Sequence, residues 1–329
     1  MDLCRRRFIQ VVTSAVALPA VSSVVRAEGF PTRPITMIVP FGAAGPIDIL
    51  ARFIVERMRV SLGQPIVIDN ITGASGSIGV GRAARAAPDG YTLVIGTWST
   101  HVVNGAVFTL SYDVLDDFEP IALLTNNSQL IVATNAIPAN DLKSLIAWLK
   151  ANPDNALVGT TGVGSAQHVF GTFFQTATGA RLQFVHYRVP GQAMQDLVAG
   201  RIHIMITDQV TALPEVHAGN IKCYAFTGQS RLATAPDVPT TDEAGLPDFH
   251  TSVWVAIWAP KATPAAVIAK LDATVIDALA DETARQRLAH LGQHIVPREQ
   301  QSSEVLRVFH KAEIMKWWPI IKAAGIKAG

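Results

Sequence analysis

The strongest constraint on the fold is a regular alternation of short apolar runs with amphipathic helical patterns. The run "ITMIVP" at 35–40 precedes the amphipathic "IDILARFIVERMRVSL" at 47–62, and "ALVGTT" at 156–161 precedes the helical pattern at 166–179. Such alternation is typical of α/β proteins, in which helices cover sheets of largely parallel strands. We therefore expect an α/β fold with mainly parallel sheets. The length of 329 residues suits two domains.

The first 27 residues have the pattern of an export signal. Three arginines at 5–7 precede an apolar stretch at 11–25, and small residues stand before Glu28 in the manner of a cleavage site. Serines and Pro19 interrupt the apolar stretch, which is too short to span a membrane stably. The sequence therefore predicts a signal peptide at 1–27 and a periplasmic product. The arginines resemble a twin-arginine signal, while Sec export remains open because a basic start serves both routes.

Charge and cysteine content exclude several classes of function. Residues 1–27 carry four arginines and one aspartate of a chain with net charge +1, so the remainder has a net charge of −2. A basic surface for nucleic acid is therefore not expected. Beyond the signal only Cys223 remains, so no disulfide is predicted. We also expect no cofactor and no bound metal.

The stretch "FGAAGP" at 41–46 follows the first predicted strand and opens the first predicted helix. Its small residues leave backbone N–H groups exposed at a helix N-terminus, which favours an anion. The Lys-Ser/Thr ending of a phosphate-binding loop is absent, and Asp48 would repel a phosphate. A carboxylate fits better, with Asp48 accepting hydrogen bonds from a ligand hydroxyl or ammonium, from water, or from N–H groups of the loop. A tight turn packed against the neighbouring domain remains the alternative.

Two further stretches repeat this arrangement. In "GTTGVGSAQHVFG" at 159–171, Ser165 is placed to cap a helix, and Gln167 and His168 fall in its first turn. In "HYRVPGQAMQDL" at 186–197, a strand end is followed by Pro-Gly and a helix. Three such strand-to-helix junctions together predict an anion site more specifically than any one of them.

Enzymatic alternatives lack required residues. The stretch "TGASGSIG" at 72–79 nearly matches the cofactor turn of short-chain dehydrogenases, but Ser77 stands where that motif needs glycine, and no tyrosine has a lysine four residues later. We interpret this stretch as a close-packed helix start. There is no Gly-x-Ser-x-Gly nucleophile elbow. His168 could be taken for a catalytic base, but ligand contact or capping is favoured because no nucleophile accompanies it. We therefore predict that the protein is not an enzyme.

Several ordered blocks resemble the Bug family, the extracytoplasmic solute-binding components of tripartite tricarboxylate transporters. They include "ITMIVPFGAAGPIDILAR", "GYTLVIGTWSTHVVN", "GTTGVGSAQH", "VHYRVPGQAMQDLVAGRIHIMITD" and "WVAIWAPKATPAAVIAKL". The resemblance implies a two-lobed periplasmic-binding-protein fold with a ligand cleft between the lobes. It places lobe 1 at 28–128 and 229–329, and lobe 2 at 129–228. It also implies that backbone amides of two loops and bridging waters hold the carboxylate.

The resemblance and the three junctions together give a set of candidate ligand-binding residues. These are Phe41, Gly42, Ala43, Ala44, Gly45, Asp48, Thr97, Ser99, Thr161, Gly164, Ser165, Gln167, His168, Tyr187, Arg188, Gly191 and Asp208. The chain departs from the family pattern at Ala44, which replaces a glycine and keeps a usable N–H if its φ is negative, and at Ile47, which replaces a threonine. Arg188 stands where the family usually has a lysine, and we expect it to meet the distal end of the ligand when the lobes close.

The predicted function is capture of a small organic carboxylate for uptake. The expected partners are a mono- or dicarboxylate and the membrane permease subunits, with the protein itself a monomer and no nucleic acid involved. An aromatic acid becomes more plausible than citrate if Ile47 faces the site. A periplasmic adaptor that reports a carboxylate to a membrane sensor kinase is the main alternative, and an enzyme acting on carboxylates ranks third. Adjacent permease genes would favour transport, and an adjacent sensor kinase would favour signalling.

Overall fold

The computed structural model describes residues 29–290 and 292–327, so the predicted export signal lies outside the described residues. The strands are β1 (Ile35–Val39), β2 (Ile66–Asn70), β3 (Thr92–Thr97), β4 (Phe118–Ser128), β5 (Leu130–Thr134), β6 (Leu157–Thr160), β7 (Gln183–His186), β8 (Ile204–Thr207), β9 (Ile221–Phe226) and β10 (Ser252–Pro260). The α-helices are α1 (Pro46–Leu62), α2 (Ser77–Ala84), α3 (Asn104–Val107), α4 (Leu142–Ala151), α5 (Ala166–Thr178), α6 (Pro190–Val198), α7 (Gln209–His217), α8 (Ala265–Leu279), α9 (Glu282–His290) and α10 (Ser303–Ala323).

The strands form two mixed five-stranded sheets. Their orders are β2-β1-β3-β10-β4 and β7-β6-β8-β5-β9. The pairs β1–β2, β1–β3, β6–β7 and β6–β8 are parallel, whereas β10 and β5 pair antiparallel with both of their neighbours. The α/β, two-lobed class is confirmed, but the prediction of mainly parallel strands was wrong. Strands joined by a crossover helix are held parallel, while β10 and β5 enter their sheets from the other sheet and are free to run antiparallel.

The chain passes between the sheets at two adjacent places. Only Gln129 separates β4 from β5, and the return runs from the end of β9 to β10. The two crossings are hydrogen-bonded to each other, because Gln129 N donates to Thr227 Oγ1 at 2.8 Å and Thr227 N donates to Gln129 O at 2.9 Å. The strands of the first sheet come from 35–128 and 252–260, and those of the second from 130–226. The lobe limits set out above remain a prediction.

Aromatic side chains join the helical layers of the two sheets. Trp98, which follows β3, has its ring centroid 4.8 Å from that of Phe170 in α5 and 5.3 Å from that of Trp317 in α10. Phe170 and Trp317 are 5.3 Å apart, and all three side chains are buried. Edge and tilted ring contacts of this kind add to the free energy gained by burying apolar area. Among residues 29–290 and 292–327, no helix combines the length and apolarity needed to cross a membrane.

Candidate functional site

A cavity of about 340 Å³ lies where loops of the two sheets face each other. The loop after β1, the segment after β3 and the loop after β6 all contribute to it, at the carboxyl ends of parallel strands where open α/β sheets bind ligands. Five predicted residues line it, namely Phe41, Ser99, Thr161, Gly164 and Ser165. The other lining residues, which were not predicted, are Ser75, Val103, Asn104, Val107, Phe108 and Val163.

In the first loop, 41–45, Asp48 serves the protein itself. Its side chain is 1% exposed and accepts hydrogen bonds from Ala44 N at 2.8 Å, Asn70 Nδ2 at 2.9 Å, and Arg52 Nε and Nη2 at 2.8 and 3.1 Å. The bonds from Arg52, with smaller contributions from Asn70 and Ala44, lower the pKa of Asp48 to about 2. Asp48 therefore accepts from an N–H group of its own loop, which is one of the partners that the sequence left open for it.

Ala44 has a left-handed backbone, with φ of 61°. Its N–H was expected to stay available to a ligand if φ were negative, but φ is positive. Its N–H points to Asp48 instead. The N–H groups of Gly42 and Ala43 have no hydrogen-bond partner within the described part of the chain, and these two donors remain available to a ligand.

Replacing Ala44 by glycine is expected to raise the free energy of unfolding by about 0.5–1 kcal/mol, because glycine adopts a positive φ without the steric cost of a Cβ. Ala43→Gly is the matched control, since Ala43 is not among the residues with positive φ. That control should leave the stability unchanged or lower it. Urea denaturation of both variants measures the effect, and an equal gain in the control would contradict this explanation.

The second loop, 161–165, is held by His168 from the first turn of α5. Ser165 caps α5 by accepting from His168 N at 3.3 Å, and Gly164 N donates to His168 Nδ1 at 3.1 Å. Nδ1 must therefore be unprotonated, and burial, together with the neighbouring His186, lowers the pKa of His168 and favours that neutral form. His168 thus positions the loop through its Nδ1.

The same loop leaves donors free beside the cavity. Thr161 Oγ1 donates to Gln167 Oε1 at 2.9 Å, which ties the loop to α5. The N–H groups of Val163 and Ala166 have no partner among residues 29–290 and 292–327. The N-terminus of α5 consequently offers unpaired donors and a favourable helix dipole to an anion.

The remaining predicted residues do not line the cavity. Thr97 is buried in a turn in which its N donates to Thr100 Oγ1 at 2.8 Å, and Asp208 caps α7. Tyr187 donates to Asp196 at 2.9 Å, and burial together with this bond raises the pKa of Tyr187 to about 12. Gly191 lies in a separate groove between α6 and α7. Arg188 is exposed and makes no hydrogen bond or ion pair within the described residues.

The sequence did not predict that the turn at 73–76 contributes Ser75 to the cavity. Its four residues all have positive φ, of 117°, 45°, 53° and 90°, and Ser75 is thereby presented to the cavity. Asn104 Nδ2 holds this turn by donating to Ser75 O and to Ser77 Oγ, both at 3.0 Å. The close packing expected of the stretch is present at Gly79, where a Cβ would lie 2.6 Å from Ile71 O. The two glycines flanking Ala-Ser were the available signal for the left-handed turn.

Comparison with known proteins gives a family match and similar solved structures. A family model described as "Tripartite tricarboxylate transporter family receptor" matches residues 50–326. The solved structure of periplasmic binding protein BugD is 33% identical, covers 91% of this chain and 99% of its own, and has a TM-score of 0.71.

Two similar structures from Rhodopseudomonas palustris carry ligands. MatC with bound malate is 37% identical over 89% of this chain and 100% of its own, with a TM-score of 0.72. Rpa4515 with adipate is 32% identical over 91% of this chain and 99% of its own, also with a TM-score of 0.72.

Proposed function

The chain belongs to the family of tripartite tricarboxylate transporter receptors, the Bug family, and from that membership we propose that it captures a small organic carboxylate outside the cytoplasm for a membrane permease. Residues 1–27 then direct export to the periplasm, and the mature protein acts as a monomer without catalysis. Lobe 1 comprises 28–128 and 229–329, and lobe 2 comprises 129–228. Closure of these lobes on the ligand presents the surface that the permease recognises.

The observation that carries the proposal is a cavity lined by two loops, each of which carries unpaired backbone N–H groups. Val163 lines the cavity itself, Ala166 follows the lining residue Ser165, and the donors of Gly42 and Ala43 follow the lining residue Phe41 in the first loop. Backbone N–H groups at helix N-termini form charge-assisted hydrogen bonds with carboxylates. The malate and adipate carried by similar proteins support a carboxylate as the ligand class.

A thermal-shift screen over organic acids tests the proposal directly. A ligand present at one hundred times its dissociation constant stabilises the folded state by about 2.7 kcal/mol, which gives a measurable rise in melting temperature. At least one small organic acid should produce this rise. If no acid does, the carboxylate-binding function is wrong.

Ser99→Ala is expected to weaken binding of the acid found in that screen by about tenfold or more, because the hydroxyl would otherwise donate to a carboxylate. The Ser99 hydroxyl lines the cavity and has no hydrogen-bond partner within the described residues, so its removal should leave the melting temperature of the free protein unchanged. Ser61→Ala, on the exposed surface of α1, is the matched control. Isothermal titration calorimetry gives both affinities, and equal values would place the carboxylate away from Ser99.

A further inference from the structure

Asn104 offers the cavity an acceptor and no donor. Its side chain is 2% exposed and lines the cavity. The atom that bonds Ser75 O must be the Nδ2 amide, because a carbonyl oxygen only accepts, and the second Nδ2 hydrogen serves Ser77 Oγ. Oδ1 has no hydrogen-bond partner among the described residues, so it is the polar atom of this side chain that is left for a ligand. It favours a hydroxyl or another donor and repels a carboxylate.

Much of the wall near Asn104 is apolar, although Ser75, to which Asn104 is hydrogen-bonded, also lines the cavity. Val103, Val107 and Phe108 continue along the same segment, and Phe41 and Val163 face the cavity from the two loops. Val103 lines the cavity although its side chain is 1% exposed. The segment 103–108 therefore offers the cavity apolar contact and one unpaired acceptor.

Within residues 29–290 and 292–327, no lysine, arginine or histidine lines the cavity. A second carboxylate on the ligand would lose its hydration at this end and gain neither a cation nor an N–H in return. The free N–H groups belong to the two loops, and they can satisfy one carboxylate.

We infer that the ligand is a monocarboxylate with an apolar body. Its carboxylate meets the N–H groups of the two loops, and its body lies against Val103, Val107 and Phe108. A hydroxyl able to donate to Asn104 Oδ1 is the preferred polar substituent. This inference rests on the proposed function and separates the chain from the similar proteins that hold malate and adipate.

Calorimetric titration of the mature chain with matched acids tests the inference. The pairs are butyrate with succinate, hexanoate with adipate, and benzoate with terephthalate, with 4-hydroxybenzoate added to the last. In the pair that binds best, the monocarboxylate should bind at least about tenfold more tightly than its dicarboxylate, because the second carboxylate has no partner. We also expect 4-hydroxybenzoate to bind more tightly than benzoate.

Val107→Arg supplies a cation to the apolar end and should shift the preference toward the dicarboxylate of each pair. Val189→Arg is the matched control, because Val189 is 50% exposed and does not line the cavity. A wild-type protein that binds a dicarboxylate as tightly as its partner acid, or more tightly, overturns this inference and leaves the carboxylate-binding function standing. A wild-type protein that binds none of the acids overturns both.

Discussion

Asp48→Ala is expected to lower the free energy of unfolding by about 2–4 kcal/mol, because it removes the buried acceptor of four hydrogen bonds and leaves donors unpaired. Arg52 is 55% exposed and can turn to water, and Asn70 Nδ2 keeps Phe41 O as an acceptor at 3.0 Å, whereas the Ala44 N–H loses its partner inside the loop. Asp48→Asn should also be destabilising, since an amide has only one oxygen to replace two acceptor atoms. Urea denaturation at pH 7 measures both losses.

Asp69→Ala is the matched control for this prediction. Asp69 also pairs with an arginine, at 3.3 Å from Arg82, but the two side chains are 39% and 63% exposed. Exposed pairs contribute at most about 1 kcal/mol, so the control should lose little. Equal losses in the two variants would show that the burial of Asp48 and its hydrogen bonds to the loop add nothing to the free energy of unfolding.

The same variants distinguish two roles of Asp48 in binding. A ligand-contacting aspartate would alter which acids bind when it is replaced, as one of the sequence-based hypotheses held. If Asp48 instead fixes the first loop, its replacement should weaken the binding of every acid, since the donors at Gly42 and Ala43 lose their fixed position. Titration of Asp48→Asn with several acids separates these outcomes.

The fold was predictable where strand and helix alternate, because a strand that feeds a helix on the sheet surface must return parallel. Nothing local marks the partners of β5 and β10. Their antiparallel pairing depends on the path by which the chain crosses between the sheets, which periodicity does not encode.

The site was predictable where backbone geometry follows from local sequence. Phe41, Ser99 and Gly164 stand just after strands, and the ends of parallel strands meet at one edge. Asn104 could not be found in this way, because its role depends on contact with Ser75, 29 residues earlier in the chain.

The third junction shows the limit of local reasoning. It follows β7, which is the edge strand of its sheet, and Tyr187 bonds Asp196 instead of lining the cavity. A strand followed by a glycine and a helix identifies a possible anion site, but the strand's position in the sheet decides whether it reaches the cleft.

Lowering the pH from 7.5 to 5.5 is expected to reduce stability through His101 and His310. His101 is fully buried, stacks on Trp258 at 3.8 Å, and leaves Nε2 without a partner in the described structure. Burial lowers its pKa well below the usual value of 6.5, with the neighbouring His310 adding to the effect, and burial also lowers the pKa of His310. Both rings therefore bind a proton less readily in the folded state than in the unfolded chain, which takes up protons below about pH 6.5.

This difference in proton uptake means that the free energy of unfolding falls as the pH is lowered. The stability contribution is complete above pH 6.5 and is lost as the pH falls below it, by up to about 1.4 kcal/mol per pH unit for each histidine. At His310 the hydrogen bond to His101 O and the charge of Asp113 act against this, since both favour the protonated ring. Glu313 also opposes it, because burial raises the pKa of Glu313 and its folded form binds a proton more readily. We expect a net loss, because two buried histidines act in this direction and one buried carboxylate opposes them.

His310→Gln tests this assignment, since the glutamine amide can still donate to His101 O, which His310 Nε2 reaches at 2.7 Å. Urea denaturation at pH 7.5 and 5.5 should show a pH-dependent loss that is smaller in this variant by up to about 1.4 kcal/mol, the contribution of one histidine. His217→Gln, on the exposed end of α7, is the matched control and should keep the full loss of the unaltered protein. An unfolding free energy that is equal at the two pH values, or a His310→Gln variant that loses as much as the control, would remove the buried pair as the cause. If the loss of stability is reduced in His310→Gln and not in the control, the acid sensitivity comes from His310, which α10 packs against His101.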